Sequence, residues 1–112
     1  AGSIAQIERI KAHVLARLDD PELSPRSVAE ALNLSLRRIY ELFEAEEQPL
    51  ARFIQMQRLD RIRRALADPL QRGVPVTTLA LDGGFKDFSH FSRAFRKQYG
   101  VAPGQYRNER IH

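Results

Sequence analysis

The chain has 112 residues, 43% hydrophobic and 29% charged, with no cysteine, no tryptophan and a formal net charge of +4. That is apolar chain for one modest core or two small ones, and too mixed a composition for a disordered tail. No cysteine means no disulfide and no thiolate metal site, which fits a reducing cytosol, and no apolar run approaches the ~20 residues of a membrane span.

Ser3 followed by Gln6 has the form of a capping box, and Ile4, Ile7, Ile10, Val14 and Leu18 follow at helical spacing. This predicts a first helix ending near Leu18, before Asp19-Asp20-Pro21. Ser24-Pro25 reads as the N-cap and first-turn proline of a short helix that carries Val28, Ala29 and Leu32 and stops near Asn33-Leu34. Ser35 caps a third helix, Leu36 to about Glu47, with Ile39, Leu42 and Phe43 on its apolar side. Pro49 opens the longest helix, which reaches Leu66 or Ala67; Phe53, Ile54, Leu59, Ile62 and Leu66 form its buried side, ringed by Arg58, Arg61, Arg63 and Arg64.

Residues 69–74 read as a loop, and a fifth short helix starts near Pro75-Val76 and carries Leu79 and Ala80. From a turn at Gly84 a sixth helix runs to Gly100. Phe88, Phe91 and Phe95 recur at i, i+3 and i+7, which assigns one face to burial, while Ser89, His90, Ser92, Arg93, Arg96 and Lys97 fill the rest. A last short helix starts at Pro103 and includes Tyr106. With no period-2 alternation and no hairpin dipeptide, the fold class is all-α, with about seven helices.

The charge is not evenly spread. Residues 84–112, with six basic and two acidic side chains, hold the whole excess. Basic charge gathered on one element points to a polyanionic partner such as nucleic acid. The helices also repeat: a short helix with a central alanine, a turn, and a longer helix with a phenylalanine near its end occur twice. Ala29 precedes Ile39 by ten residues and Ala80 precedes Phe91 by eleven, and Phe43 and Phe95 close the longer helices. Ala29, Asn33 and Ile39 have the spacing of a helix-turn-helix, in which a small residue lets the helices approach, a turn former reverses the chain and an apolar residue packs back. Two subdomains follow, residues 4–48 and 75–110, joined by a linking helix over 49–68.

With Gly84-Phe85, then Ser89-His90-Phe91-Ser92-Arg93-Ala94-Phe95, then Gly100-Val101-Ala102-Pro103-Gly104-Gln105-Tyr106-Arg107, the chain resembles the DNA-binding domain of the AraC/XylS family of bacterial transcription regulators. The resemblance covers nearly all of Ile4 to Arg110. It implies two helix-turn-helix units that place a recognition helix each in adjacent major grooves of one DNA face. A linking helix of ~25 Å, plus the offset of the two units, is compatible with the ~34 Å between such grooves.

The resemblance also places the DNA-binding residues. They are Arg37, Tyr40 and Glu41 in the first unit, with Leu36 and Arg38 near the backbone or groove wall, and Ser89, His90 and Arg93 in the second. Arg37 and Arg93 suit guanine O6 and N7, and Glu41 suits cytosine N4. Phosphate contacts are expected from Ser24, Ser27, Thr77 or Thr78, Arg96, Lys97 and Arg107, and the phenylalanines from core packing.

Three departures from the family pattern stand out. Glu41, Glu44, Glu46 and Glu47 make the first recognition helix acidic, Gln48-Pro49 replaces a glycine-bearing loop, and Gly83 stands where an apolar residue is common. The first two weaken the expected DNA contact of the first unit, and the third predicts a looser second unit. The second unit is therefore expected to supply most of the charge-driven affinity.

An enzyme is disfavoured, because His13, His90 and His112 are too dispersed for a metal site and no nucleophile motif or phosphate-binding loop occurs, so no cofactor, metal or catalytic residue is assigned. The competing reading is a helix-turn-helix interaction module that does not read DNA. The expected partners are promoter DNA and RNA polymerase, with no membrane. The stretch reads as either an excised C-terminal domain or a small standalone regulator, with excision favoured; the domain is expected to be monomeric by itself, and a longer parent to dimerise through an effector domain.

Overall fold

Caps and turns set the helix boundaries in this chain. The computed structural model describes residues 2–111; Ala1 and His112, the latter one of the three histidines considered above, lie outside the described residues. Seven α-helices follow in order: α1 (Gly2–Leu15), α2 (Pro25–Leu32), α3 (Leu36–Phe43), α4 (Leu50–Ala67), α5 (Val76–Asp82), α6 (Phe88–Tyr99) and α7 (Pro103–Arg110), with one 3-10 turn at Pro69–Gln71. No strand occurs among the described residues, and the all-α reading holds. The helices form two compact units, Ala1–Gln57 and Arg58–His112, and α4 contributes to both.

In the first unit, Ile10 and Val14 of α1, Val28 and Ala29 of α2, Ile39 and Leu42 of α3, and Leu50 and Ile54 of α4 close one core. Full burial of such a side chain contributes about 1.5–3 kcal/mol, which is what holds three short helices together. Three boundaries differ from expectation. The predicted capping box at Ser3 does not form, because α1 already begins at Gly2, and Ile4 is exposed. The helix ends at Leu15 rather than Leu18: the backbone tightens into i→i−3 bonds, Arg17 N–H to Val14 O at 2.9 Å and Asp20 N–H to Arg17 O at 3.0 Å. Leu18 still reaches the core.

Helix α3 ends at Phe43 instead of continuing to Glu47. Here too i→i−3 bonds take over, Glu46 N–H to Phe43 O at 3.1 Å. Carboxylates clustered at the negative end of a helix dipole disfavour further turns, and Glu46 instead pairs with Lys11 of α1 at 2.7 Å. In α4 the buried side includes Leu50, which the sequence reading omitted, while Phe53 is only half-buried beneath the Lys11 ammonium, 5.4 Å from its ring centre.

The second unit is built on rings. Phe91 packs edge-on against Phe85 with centroids 5.2 Å apart, and Phe95 sits between Phe91 at 5.6 Å, Tyr99 at 4.7 Å and Tyr106 at 5.6 Å. Such pairs contribute about 0.5–1.5 kcal/mol each beyond their area. Tyr106 also ties α7 to α4: Arg63 donates to its hydroxyl at 3.0 Å and to Asp60 at 2.8 Å. Burial alone would raise the Tyr106 phenol, but the hydrogen bonds and charges of Arg63 and then Arg110 together outweigh it and hold it below its ordinary value. Tyr99 is pushed up, chiefly by burial and then by the Asp60 charge.

Gly83 reverses its expected effect. A methyl group there would lie 2.6 Å from Ile62 Cδ1, 2.7 Å from Ile62 Cγ1 and 2.9 Å from the Leu79 carbonyl. The missing side chain thus lets the end of α5 close onto Ile62 of α4, which is 2% exposed. The absent side chain is what permits this close approach. Gly83→Ala is therefore expected to lower unfolding stability by about 1–3 kcal/mol through overpacking. Urea denaturation followed by circular dichroism checks this, and an unchanged midpoint would show that Ile62 yields.

Candidate nucleic-acid interface

Each unit turns its chain in the same way. At the end of α2, Asn33 adopts the left-handed conformation, φ 58°, and Leu34 N–H bonds back to Ala29 O at 2.9 Å. After α5, Gly84 does so at φ 105°, and Phe85 N–H bonds to Ala80 O at 3.2 Å. The left-handed residue stands four positions after the central alanine in both copies, and both alanines are buried. A side-chain cap then starts the exposed helix: Ser35 Oγ accepts from Arg38 N–H at 3.0 Å, and Asp87 Oδ1 accepts from His90 N–H at 2.7 Å. The extra residue of the second copy lies in this turn, which is why α6 starts at Phe88 and residues 85–87 are not helical as expected.

On α3, Arg37, Tyr40 and Glu41 share the outward side at i, i+3 and i+4, with Ile39, Leu42 and Phe43 buried beneath. The Arg37 side chain is 89% exposed, and its Nε donates to Glu41 Oε1 at 3.2 Å. Arg38 approaches the same carboxylate, Nη1 to Oε2 at 3.8 Å, and donates from Nη2 to Gln6 Oε1 of α1 at 2.8 Å. Exposed pairs of this kind contribute only about 0.3–0.5 kcal/mol to stability, so their interest lies in orientation. Tyr40 is exposed.

On α6, Ser89, His90, Arg93, Arg96 and Lys97 are all exposed, while Phe91 and Phe95 are fully buried. Among the described residues, Arg93, Arg96 and Lys97 make no side-chain hydrogen bond or ion pair. The spacing of Ser89, Arg93, Arg96 and Lys97 places them along one stripe of the helix. The His90 ring stands edge-on against Phe85, centroids 5.6 Å apart. Phe88, expected in the core with the other rings, is 37% exposed instead; it stands at the first position of α6, its ring centre 5.9 Å from that of Phe91.

The structure thus gathers the expected residues into two clusters, one per unit. It does not bring all the expected phosphate contacts to them. Ser24 and Ser27 satisfy each other in a reciprocal cap of α2. Arg107 turns inward, Nη1 donating to Val74 O at 2.7 Å and Nη2 reaching Gln71 O at 3.4 Å, and so pins the 69–75 segment to α7. Thr77 and Thr78, at the start of α5, remain exposed. Gln6, read from the sequence only as a capping partner of Ser3, instead anchors Arg38: a lone glutamine near the start of a helix carries no signal of a distant partner. Asp87 was missed as a cap because the aromatic period drew the helix start back toward the glycine.

No group of three or more histidine, aspartate or glutamate side chains is placed to hold a metal ion among the described residues. No helix among them is long and apolar enough to cross a membrane. Two units, each with a supporting helix, a left-handed turn and an exposed polar helix, define a tandem helix-turn-helix protein. The family profile described as "Helix-turn-helix domain" matches residues 28–109. The transcriptional activator NphR of Rhodococcus sp is 34% identical over 103 residues, which are 92% of this chain and 30% of that protein. The transcriptional activator RhrA of Rhizobium meliloti is 32% identical over 98 residues, 88% of this chain and 31% of that protein. Among solved structures, the C-terminal domain of AraT, a response regulator from Geobacillus stearothermophilus, superposes with a TM-score of 0.86 at 26% identity, over 95% of this chain and 86% of that one. The chain belongs to the AraC-type helix-turn-helix family, whose members are DNA-binding transcription regulators. It spans about 30% of the length of the two activators it matches.

The inward position of Arg107 has a direct consequence. Arg107→Ala is expected to destabilise the second unit by about 1.5–3 kcal/mol, the range for hydrogen bonds that involve a charged group. Arg107→Lys should recover little of it, since an ammonium lacks the fork that reaches two carbonyls. Urea denaturation of both variants decides between this role and a phosphate contact, which lysine would preserve with stability unchanged.

Proposed function

We propose that this chain reads double-stranded promoter DNA in a bacterial cytoplasm, with α3 and α6 each entering a major groove, and that it forms the DNA-binding portion of a longer transcription regulator. The observation that carries the reading is the outer stripe of α6. Arg93, Arg96 and Lys97 stand exposed and unpaired among the described residues, on a helix whose opposite face is fixed by Phe91 and Phe95. A rigid helix with a polar first turn and cations further along is what base edges and flanking phosphates require. Ser89, His90 and Arg93 are the base readers of this unit, with Arg96 and Lys97 on phosphate; Arg37, Arg38, Tyr40 and Glu41 form the surface of the other.

The charge division between the units supports unequal duties. Residues 58–112 carry eleven basic and five acidic side chains, and residues 1–57 seven basic and nine acidic. The second unit supplies most of the counterion-release affinity, and the first adds weaker, base-specific contact. NphR and RhrA are both named transcriptional activators, which supports activation here and a contact with RNA polymerase from surface left outside the DNA.

Selection from a random duplex library followed by titration is the test. Binding should fall steeply with salt. Arg93→Ala should weaken the selected site by roughly 5- to 150-fold, the range for a lost arginine–guanine pair, and by more than Arg37→Ala does. Equal losses, or a larger one at Arg37, would overturn the division of duties. Failure of the chain to retain any duplex would overturn DNA reading and favour a protein-interaction module.

A further inference from the structure

By charge alone, Glu41 is misplaced on the candidate DNA face of α3, since a carboxylate at the groove is repelled by phosphate. Glu41 lies six residues past Ser35, and Arg93 lies six residues past Asp87, so the two helices carry opposite charges at one shared position. The contacts of Glu41 show a different use from base reading. Its Oε1 takes the Arg37 Nε–H at 3.2 Å, and its Oε2 lies 3.8 Å from Arg38 Nη1. Arg38 is in turn bonded to Gln6 of α1 at 2.8 Å. The polar contacts therefore run from α1 out to Nε of Arg37, whose side chain is 89% exposed and has no other partner among the described residues. Because the carboxylate takes Nε, both terminal nitrogens of Arg37 stay available, and two N–H donors side by side match guanine O6 and N7.

We propose that Glu41 is a positioning residue. Its carboxylate, steadied through Arg38 and Gln6, holds the Arg37 guanidinium in the orientation that reads a guanine, and it touches no base itself. This rests on the DNA-reading function proposed above. Glu41 spares Arg37 part of the ordering cost of binding, which for a rotamer-rich side chain corresponds to about two- to tenfold in affinity. It also neutralises one cation, so it trades general attraction to DNA for selectivity at one base pair.

The experiment uses the 112-residue chain with its library-selected duplex, a set of duplexes in which each G·C pair is replaced in turn, and an unrelated duplex. Arg37→Ala locates the base pair that Arg37 reads. Glu41→Ala should lower discrimination at that same pair by about two- to tenfold while binding to the unrelated duplex tightens. Glu41→Gln, whose amide oxygen still accepts from Arg37 Nε, should keep most of the discrimination, and the double alanine variant should be no less selective than Arg37→Ala alone. Unchanged discrimination at that pair in Glu41→Ala, or a loss at a different pair as a direct cytosine reader would give, overturns the proposal. If the unaltered chain retains no duplex, DNA reading itself has failed and this role falls with it.

Discussion

In both units the supporting helix closes with one left-handed residue and a backbone bond from the next residue back over the turn, Leu34 to Ala29 and Phe85 to Ala80. Everything outward of that turn depends on it. Its geometry satisfies carbonyls that would otherwise be stranded at the helix end, and it aims the chain so that the next side-chain cap begins an exposed helix at a defined position. Only residues that tolerate positive φ can hold it, and asparagine and glycine are the two used. Once the cap is set, the helical period decides which residues face the core and which face outward. The sheltered positions are thus apolar in both units, while the outward ones are able to differ in charge.

Formal charge is a poor guide to what an arginine does in this chain. Arg63 and Arg107 belong to the architecture: one bridges Asp60 and the Tyr106 hydroxyl, and the other pins the 69–75 segment through two carbonyls. Both bonding patterns use the planar fork that lysine lacks. Arg37 and Arg38 are held by a shared carboxylate, whereas Arg93 and Arg96 have no such partner among the described residues. The basic excess of the second unit is therefore smaller at its outer surface than its sequence count, and Arg93, Arg96 and Lys97 of α6 are among the cations that remain outward.

Much of this arrangement was legible in the sequence. The helix count, the repeat and the outward residues of α3 and α6 follow from apolar period and from punctuation by Ser24-Pro25, Asn33, Ser35, Gly84 and Gly100. The early ends of α1 and α3 were not, because switching to i→i−3 bonds depends on packing and dipole effects that leave no periodic trace. Gly83 misled because a missing side chain reads as slack when its neighbour is unknown, and here the neighbour is a buried isoleucine. Arg107 and Ser24 have partners that sequence does not show: a polar residue looks available until its carbonyl or hydroxyl partner is known. Long-range polar links such as Gln6 to Arg38 span 32 positions and have no local signature.

The difference in core material between the units also has a spectroscopic consequence. The chain has no tryptophan and three tyrosines. Tyr99 and Tyr106 lie in the ring cluster of the second unit, and Tyr40 alone belongs to the first, exposed on its outer face. The tyrosine bands of near-ultraviolet dichroism, which need rings fixed in an asymmetric setting, therefore report chiefly on the second unit, while phenylalanine bands also carry Phe43 and Phe53 of the first. Tyrosine emission that changes when a ligand covers α3 comes from Tyr40. The protein carries two intrinsic reporters, one for the integrity of one half and one for occupancy of the other, with no added label.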